Sequence, residues 1–156
     1  MTAGSTSNTA FIKASPEAIY RAFTDPEALV QWFAPGQMRA ELHRFDLRVG
    51  SGYEMSLFYP ESETGTPGKS ATHEDRYTAR FVELSPPSRI VQAIVFDAPD
   101  PAFAGEMTMT VSLEPSAGGT LVTIVFDGIP PGIRPEDNEQ GTEETLQNLA
   151  RFVARG

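Results

Sequence analysis

The sequence contains no cysteine, so disulfides, thiol nucleophiles and cysteine-ligated zinc or iron–sulfur centres are excluded. Histidine is nearly as scarce. His43 and His73 are the only two, and neither falls in an HxH or HxxxH spacing. His43 with Glu41 is too small a donor set for a metal, so no metal and no cofactor are expected. A serine-nucleophile motif, a P-loop and a dinucleotide fingerprint are also missing. Positive charge is thin: 12 Lys and Arg stand against 21 acids, for a formal charge of −9. Such a surface repels phosphate backbones and anionic lipids, which argues against nucleic acid as a partner. No run reaches the roughly 18 apolar residues of a membrane span. Residues 1–8 lack the basic and apolar regions of a secretory signal. The expectation is a cytoplasmic protein without nucleic-acid or membrane partners.

What is present is an ordinary globular composition, 40% apolar and 21% charged over 156 residues, the size of one domain. The reading is a disordered tail over 1–8 and a single domain over 9–156. A short strand over 9–14 ends at Ser15-Pro16, where a cap, an N1 proline and Glu17 open a helix running to about Phe23. Asp25-Pro26-Glu27 repeats that signal for a second short helix, which delivers Trp32 and Phe33 and ends at Pro35-Gly36. From there the period is two: strands are predicted over 38–49, 53–59, 71–84, 89–96, 106–114 and 120–127. Gly50-Ser51-Gly52 and Ala117-Gly118-Gly119 mark turns, and 60–68 and 97–105 read as loops. Pro135-Glu136-Asp137 opens a last helix, with Thr142, Leu146, Leu149 and Val153 on one stripe. Strand, two helices, six strands and a long helix make an α+β antiparallel meander with helices on one side.

Alternation assigns the faces. His73, Asp75, Tyr77, Ala79 and Phe81 share one side of their strand and point inward, against a wet face of Thr72, Glu74, Arg76, Thr78 and Arg80. Tyr53, Met55, Leu57 and Tyr59 point inward, as do Met107, Met109, Val111 and Leu113, and then Val122, Ile124 and Phe126. The candidate ligand-contacting set is therefore Trp32, Phe33, Tyr53, Met55, Leu57, Tyr77, Phe81, Phe96, Met107, Met109, Phe126, Thr142 and Leu146. Aromatics and flexible thioethers suit an adaptable apolar cavity for a small hydrophobic ligand. The same side chains equally describe a filled core. What favours a cavity is that a long sheet curled on one helix leaves more space than side chains fill.

His73, Asp75 and Tyr77 are the candidate catalytic group, spaced to put imidazole, carboxylate and phenol on one strand face for acid–base work. The alternative is that this end of the strand overruns the helix and all three are solvated. Arg48 either pairs with Asp46 or reaches a ligand carboxylate, and Phe103 is expected to cover the pocket mouth from the 97–105 loop.

Several segments resemble a known family in order and spacing: Ala14-Ser15-Pro16-Glu17, Thr24-Asp25-Pro26, Trp32-Phe33-Ala34-Pro35 and Asp46-Leu47-Arg48-Val49-Gly50. Further on come Glu83-Leu84-Ser85-Pro86-Pro87-Ser88-Arg89-Ile90, Gly118-Gly119-Thr120 and Leu146-Gln147-Asn148-Leu149. Together they are similar to activator-of-heat-shock-protein-90-ATPase homologues, over about residues 9–154. That family lies in the START-like superfamily with aromatase/cyclases, pollen-allergen-type hydrophobic carriers and lipid-transfer domains. The resemblance implies a helix-grip fold, a curved antiparallel sheet of about seven strands around the long C-terminal helix, with two short helices between strands 1 and 2. It implies binding of a small hydrophobic or aromatic molecule. Two alternatives stay open: a polyketide cyclase/dehydratase-like enzyme using His73, Asp75 and Tyr77, and a protein-interaction module, with a chaperone or as a homodimer. Direct chaperone activation is implied only for eukaryotic members with an additional N-terminal domain, for which this chain is expected to have no room. There are departures: Ser51 separates Gly50 from Gly52, and Gly141 is followed by Thr142 where the family often has Gly-Trp.

Overall fold

Two polar caps and two prolines set the first turn of the chain's path in the computed structural model, which describes residues 4–35, 37–60 and 74–154. Ser15 Oγ accepts the Ala18 N–H at 3.1 Å and starts α1 (Pro16–Thr24), which buries Ile19, Ala22 and Phe23. Asp25 serves both short helices. Its N–H donates to the Arg21 carbonyl at the end of α1, and its carboxylate accepts the Glu27 N–H at 3.0 Å to open α2 (Pro26–Trp32).

Seven antiparallel strands follow the expected order: β1 (Gly4–Ile12), β2 (Arg39–Phe45), β3 (Gly52–Phe58), β4 (Glu74–Ser85), β5 (Arg89–Phe96), β6 (Glu106–Ser116) and β7 (Gly119–Ile129). Their order in the sheet is β1-β7-β6-β5-β4-β3-β2. Strands β2 to β7 are a simple meander, so α1 and α2 carry the chain from the β1 edge to the opposite edge. The long helix α3 (Pro135–Ala154) packs against β1, α1 and α2. This is the helix-grip arrangement. Among the described residues, no helix is long and apolar enough to cross a membrane.

The tail expected over 1–8 needs correction within the described residues. Strand β1 begins at Gly4, with Gly4 opposite Ile129, Thr6 opposite Phe126 and Asn8 opposite Ile124. Small polar residues hide this strand from a hydrophobic pattern, because backbone ladder bonds and α3 hold it. Asn138 Nδ2 donates to Thr6 Oγ1 at 3.0 Å, and Asn8 Nδ2 donates to the Glu139 carbonyl at 3.2 Å.

The strand expected over 38–49 stops at Phe45, because the turn after it needs its own geometry. Gly50 has φ +92 and its N–H donates to the Phe81 carbonyl at 2.8 Å. At Gly52 a Cβ would lie 1.8 Å from the Ala79 carbonyl oxygen, so only glycine lets β3 approach β4 here. Arg48 takes the first of its two predicted roles, with a two-pronged bond to Asp46 at 2.6 to 3.1 Å on the exposed turn. That pairing holds the Asp46 carboxyl below its usual value.

Candidate functional site

Each central strand lends one end to a filled core and the other to a hollow. At the filled end, Phe45 stacks on Tyr53 at 5.7 Å between ring centres, and Tyr53 lies 5.9 Å from Phe81. Trp32 is sealed beneath α1: its indole N–H donates to the Ala22 carbonyl at 3.0 Å, and the Phe23 ring meets it edge-on at 4.8 Å. At the other end lies a cavity of about 280 Å³. Leu57, Tyr59, Asp75, Tyr77, Ile94 and Phe96 form one stretch of its sheet wall, and Met107, Met109, Ile124 and Phe126 form the next. The facing wall is α3, through Asn138, Gly141, Thr142 and Thr145. Phe33, Pro35, Met38, Ile133 and Asp137 complete the lining.

The sequence of α3 explains the hollow. Its first turns present Gly141, Thr142 and Thr145, whereas Leu146 and Leu149 join the buried cluster further on. The threonine hydroxyls are occupied: Thr142 donates to the Asn138 carbonyl at 2.7 Å and Thr145 to the Phe33 carbonyl at 3.1 Å.

Few polar groups interrupt the wall. Asp75 is 4% exposed, and its Oδ2 accepts the Tyr59 hydroxyl at 2.7 Å. Tyr77 donates its hydroxyl to Met55 Sδ at 3.2 Å, and Tyr53 behind it donates to Gln92 Oε1 at 3.1 Å. Burial pushes the Tyr53 phenol up to about 12 and the Tyr77 phenol well above its ordinary value, Tyr53 adding to the latter. Both phenols therefore act as neutral donors near neutral pH.

Of the sequence-predicted ligand contacts, Phe33, Leu57, Tyr77, Phe96, Met107, Met109, Phe126 and Thr142 line the cavity. Trp32, Tyr53, Met55, Phe81 and Leu146 do not; each is closed into the core cluster. The correction has one cause. Alternation says which side a residue faces, but not whether the helix opposite supplies a large side chain to meet it. Asp75 and Tyr77 stand together in the wall and are buried, which overturns the solvated alternative for these two. His73 lies outside the described residues. Phe103 is not in the wall. It sits on the 3₁₀ turn Pro101–Phe103, packed on the loop before α3, where the Gly132 N–H donates to the Ala102 carbonyl at 2.7 Å. A Cβ on Gly132 would be 2.9 Å from the Phe103 ring, and the next residue, Ile133, is the one that lines the cavity. Asn138, Gly141 and Thr145 also stand in the wall, beyond the residues the sequence predicts. Their helical spacing with Thr142 was the available signal. His43 bonds Ser56 Oγ at 2.8 Å, and Ser56 donates to Glu74 at 2.5 Å, so it stands apart from the cavity.

The family model described as activator of Hsp90 ATPase homolog 1-like protein matches residues 13–154. The chain belongs to this family. Among solved structures, a Chromobacterium violaceum protein is 32% identical. It has a TM-score of 0.84, with 96% of each chain covered. An Aeromonas hydrophila protein described as AHSA1-like shares the fold at 23% identity and TM-score 0.71, covering 97% of this chain and 93% of that one. An Arthrobacter aurescens protein does so at 19% identity and TM-score 0.79, covering 97% and 87%. No curated protein matches. Within the Hsp90-ATPase-activator-like family, the departure at Gly141-Thr142 acquires a place: both residues stand on the helical wall of the cavity.

Proposed function

We propose that the protein is a cytoplasmic binding module that holds a small hydrophobic or aromatic molecule between the sheet and α3, without turnover. The observation that carries this reading is a cavity of about 280 Å³ walled by aromatic rings, three methionines and isoleucines. Cavities that hold small ligands have this apolar lining with a few placed polar groups. Size sets the scale of the occupant. An engineered apolar cavity of about 150 Å³ accepts benzene, so about twice that volume suits two fused rings.

The test is native mass spectrometry of protein purified from its own host, beside Thr142→Trp. The indole would fill the helical wall where this chain has a threonine. A co-purified small molecule on the natural chain, absent from a folded Thr142→Trp, is the expected result. An empty natural chain that also fails to bind apolar bicyclic probes overturns the reading.

Asp75 supports a second reading, a cyclase- or dehydratase-like enzyme. It is a buried carboxylate in an apolar wall, oriented by Tyr59, where a general base would act on a bound carbon acid. Tyr77 would serve there as a hydrogen-bond donor only. Slow conversion of the co-purified molecule, abolished in Asp75→Asn, favours this reading. Unchanged conversion in that variant removes it.

A further inference from the structure

The cavity has a thin wall on the side of α2. Phe33 and Pro35 line it, while Ala34 between them lines a second cleft, of about 360 Å³, on the far side. Helix α3 shows the same division: Thr145 stands in the cavity, and Asn148, less than one turn further on, stands in the cleft. Both residues pin the dividing segment by its backbone. Thr145 donates to the Phe33 carbonyl at 3.1 Å, and Asn148 Nδ2 donates to the Ala34 carbonyl at 2.8 Å. Met38 borders both hollows. The divide therefore combines a fixed backbone with one adaptable side chain, since an unbranched thioether changes rotamer at little cost.

Beyond Met38 the cleft offers a cation. Arg151 of α3 stands there with Asn148 and with Gln31 of α2. Its guanidinium donates to the Asn148 side-chain oxygen, a neutral amide, so that bond leaves the positive charge in place. The other N–H donors of the guanidinium form a fork that fits a carboxylate. Arg39 at the cleft's edge is committed elsewhere: it pairs with Glu41 at 3.2 Å and lies over the Phe58 ring at 4.4 Å. A carboxylate matches one guanidinium, whereas a phosphate brings more negative charge to a chain already at −9.

We propose that the ligand is an amphipathic carboxylate whose apolar body fills the cavity, whose chain passes Met38 and whose head group pairs with Arg151 in the cleft between α2, β2 and α3. This inference rests on the binding-module reading and assigns its ligand class.

Two pairs of probes test it, titrated calorimetrically into the full chain at neutral pH and low salt. Naphthylhexanoic acid is expected to bind at least about tenfold tighter than naphthylhexanol. Naphthoic acid, whose head group cannot pass Met38 while its rings stay in the cavity, is expected to show no such advantage over naphthylmethanol. In Arg151→Gln, a change at an exposed position, the long acid is expected to fall to within about threefold of the long alcohol. The Arg151 side-chain N–H resonance, assigned by its loss in that variant, is expected to move with the long acid and not with naphthylmethanol. A long acid no better than its alcohol overturns the inference and leaves the binding module standing. So does an equal advantage for the short acid, an advantage that survives in Arg151→Gln, or an Arg151 resonance unmoved by the long acid. Failure of all four probes to bind removes the binding module as well.

Discussion

One sheet face runs under both halves of this interior, yet one half is solid and the other hollow. On β4, Phe81 and Ala79 lie in the solid half, and Tyr77 and Asp75 line the hollow. On β6, Val111 and Leu113 belong to the first, and Met109 and Met107 to the second. The strand side is bulky throughout. The difference comes from the helices: α1 and α2 lay Ile19, Phe23, Leu29 and Trp32 on the solid half, and on α3 Leu146 and Leu149 give way to Thr145, Thr142 and Gly141 toward the helix start. A cavity in this fold is thus a local omission on the helix rather than a property of the sheet.

The largest expected effect separates neighbours in sequence. Trp32→Ala, in the solid half, should lose about 3–5 kcal/mol in urea unfolding, because a sealed ring leaves a void that cannot collapse. Phe33→Ala, beside it but on the cavity wall, should lose less than about half as much, since part of its surface already borders empty space. Equal losses would break the comparison.

Alkali tests both halves at once. The Tyr53 phenol is held at about 12 and Tyr77 is raised as well, whereas an unfolded chain ionises its phenols near 10. The folded state keeps these protons longer, so their contribution is complete below pH 10 and is lost as pH rises through about 12. For Tyr53 alone the loss is roughly 3 kcal/mol. The unfolding midpoint should fall with rising pH while phenolate absorbance rises over the same window. A midpoint flat across that window would refute the buried-phenol account.

Gly141→Ala should stabilise by about 1 kcal/mol, because a helical glycine costs that much backbone entropy. A Cβ there meets no heavy atom within 4 Å, so nothing opposes the gain. Apolar probes should bind a few-fold more weakly to this variant. The smallest change is expected on the outer face, where Arg76 and Glu54 pair at 2.6 Å with both side chains partly exposed. Glu54→Gln should leave the unfolding midpoint within error, as screened pairs contribute little.

The strand order, both caps and the inward faces of β3, β4, β6 and β7 could be read from the sequence, because a period of two and a cap–proline pair are local signals. Strand β1 before Thr9 could not, since Ser5, Thr6 and Ser7 earn their place through ladder bonds to β7 and a side chain from α3. The division between wall and core was equally out of reach for Tyr53 and Tyr77, two inward tyrosines on adjacent strands. Register and the size of the facing helical residue separate them, and both are tertiary facts. Asp75 was found by its position on the inward face; its partner Tyr59 required the fold.

The chain has a single tryptophan, Trp32. It is sealed at 2% exposure with its N–H satisfied, and it lies outside the cavity lining. Its emission should therefore stay at short wavelength whether the hollow is loaded or empty, and shift red only when the chain opens to water. The molecule carries a built-in fluorescent gauge of its own integrity, one that a bound guest should leave undisturbed.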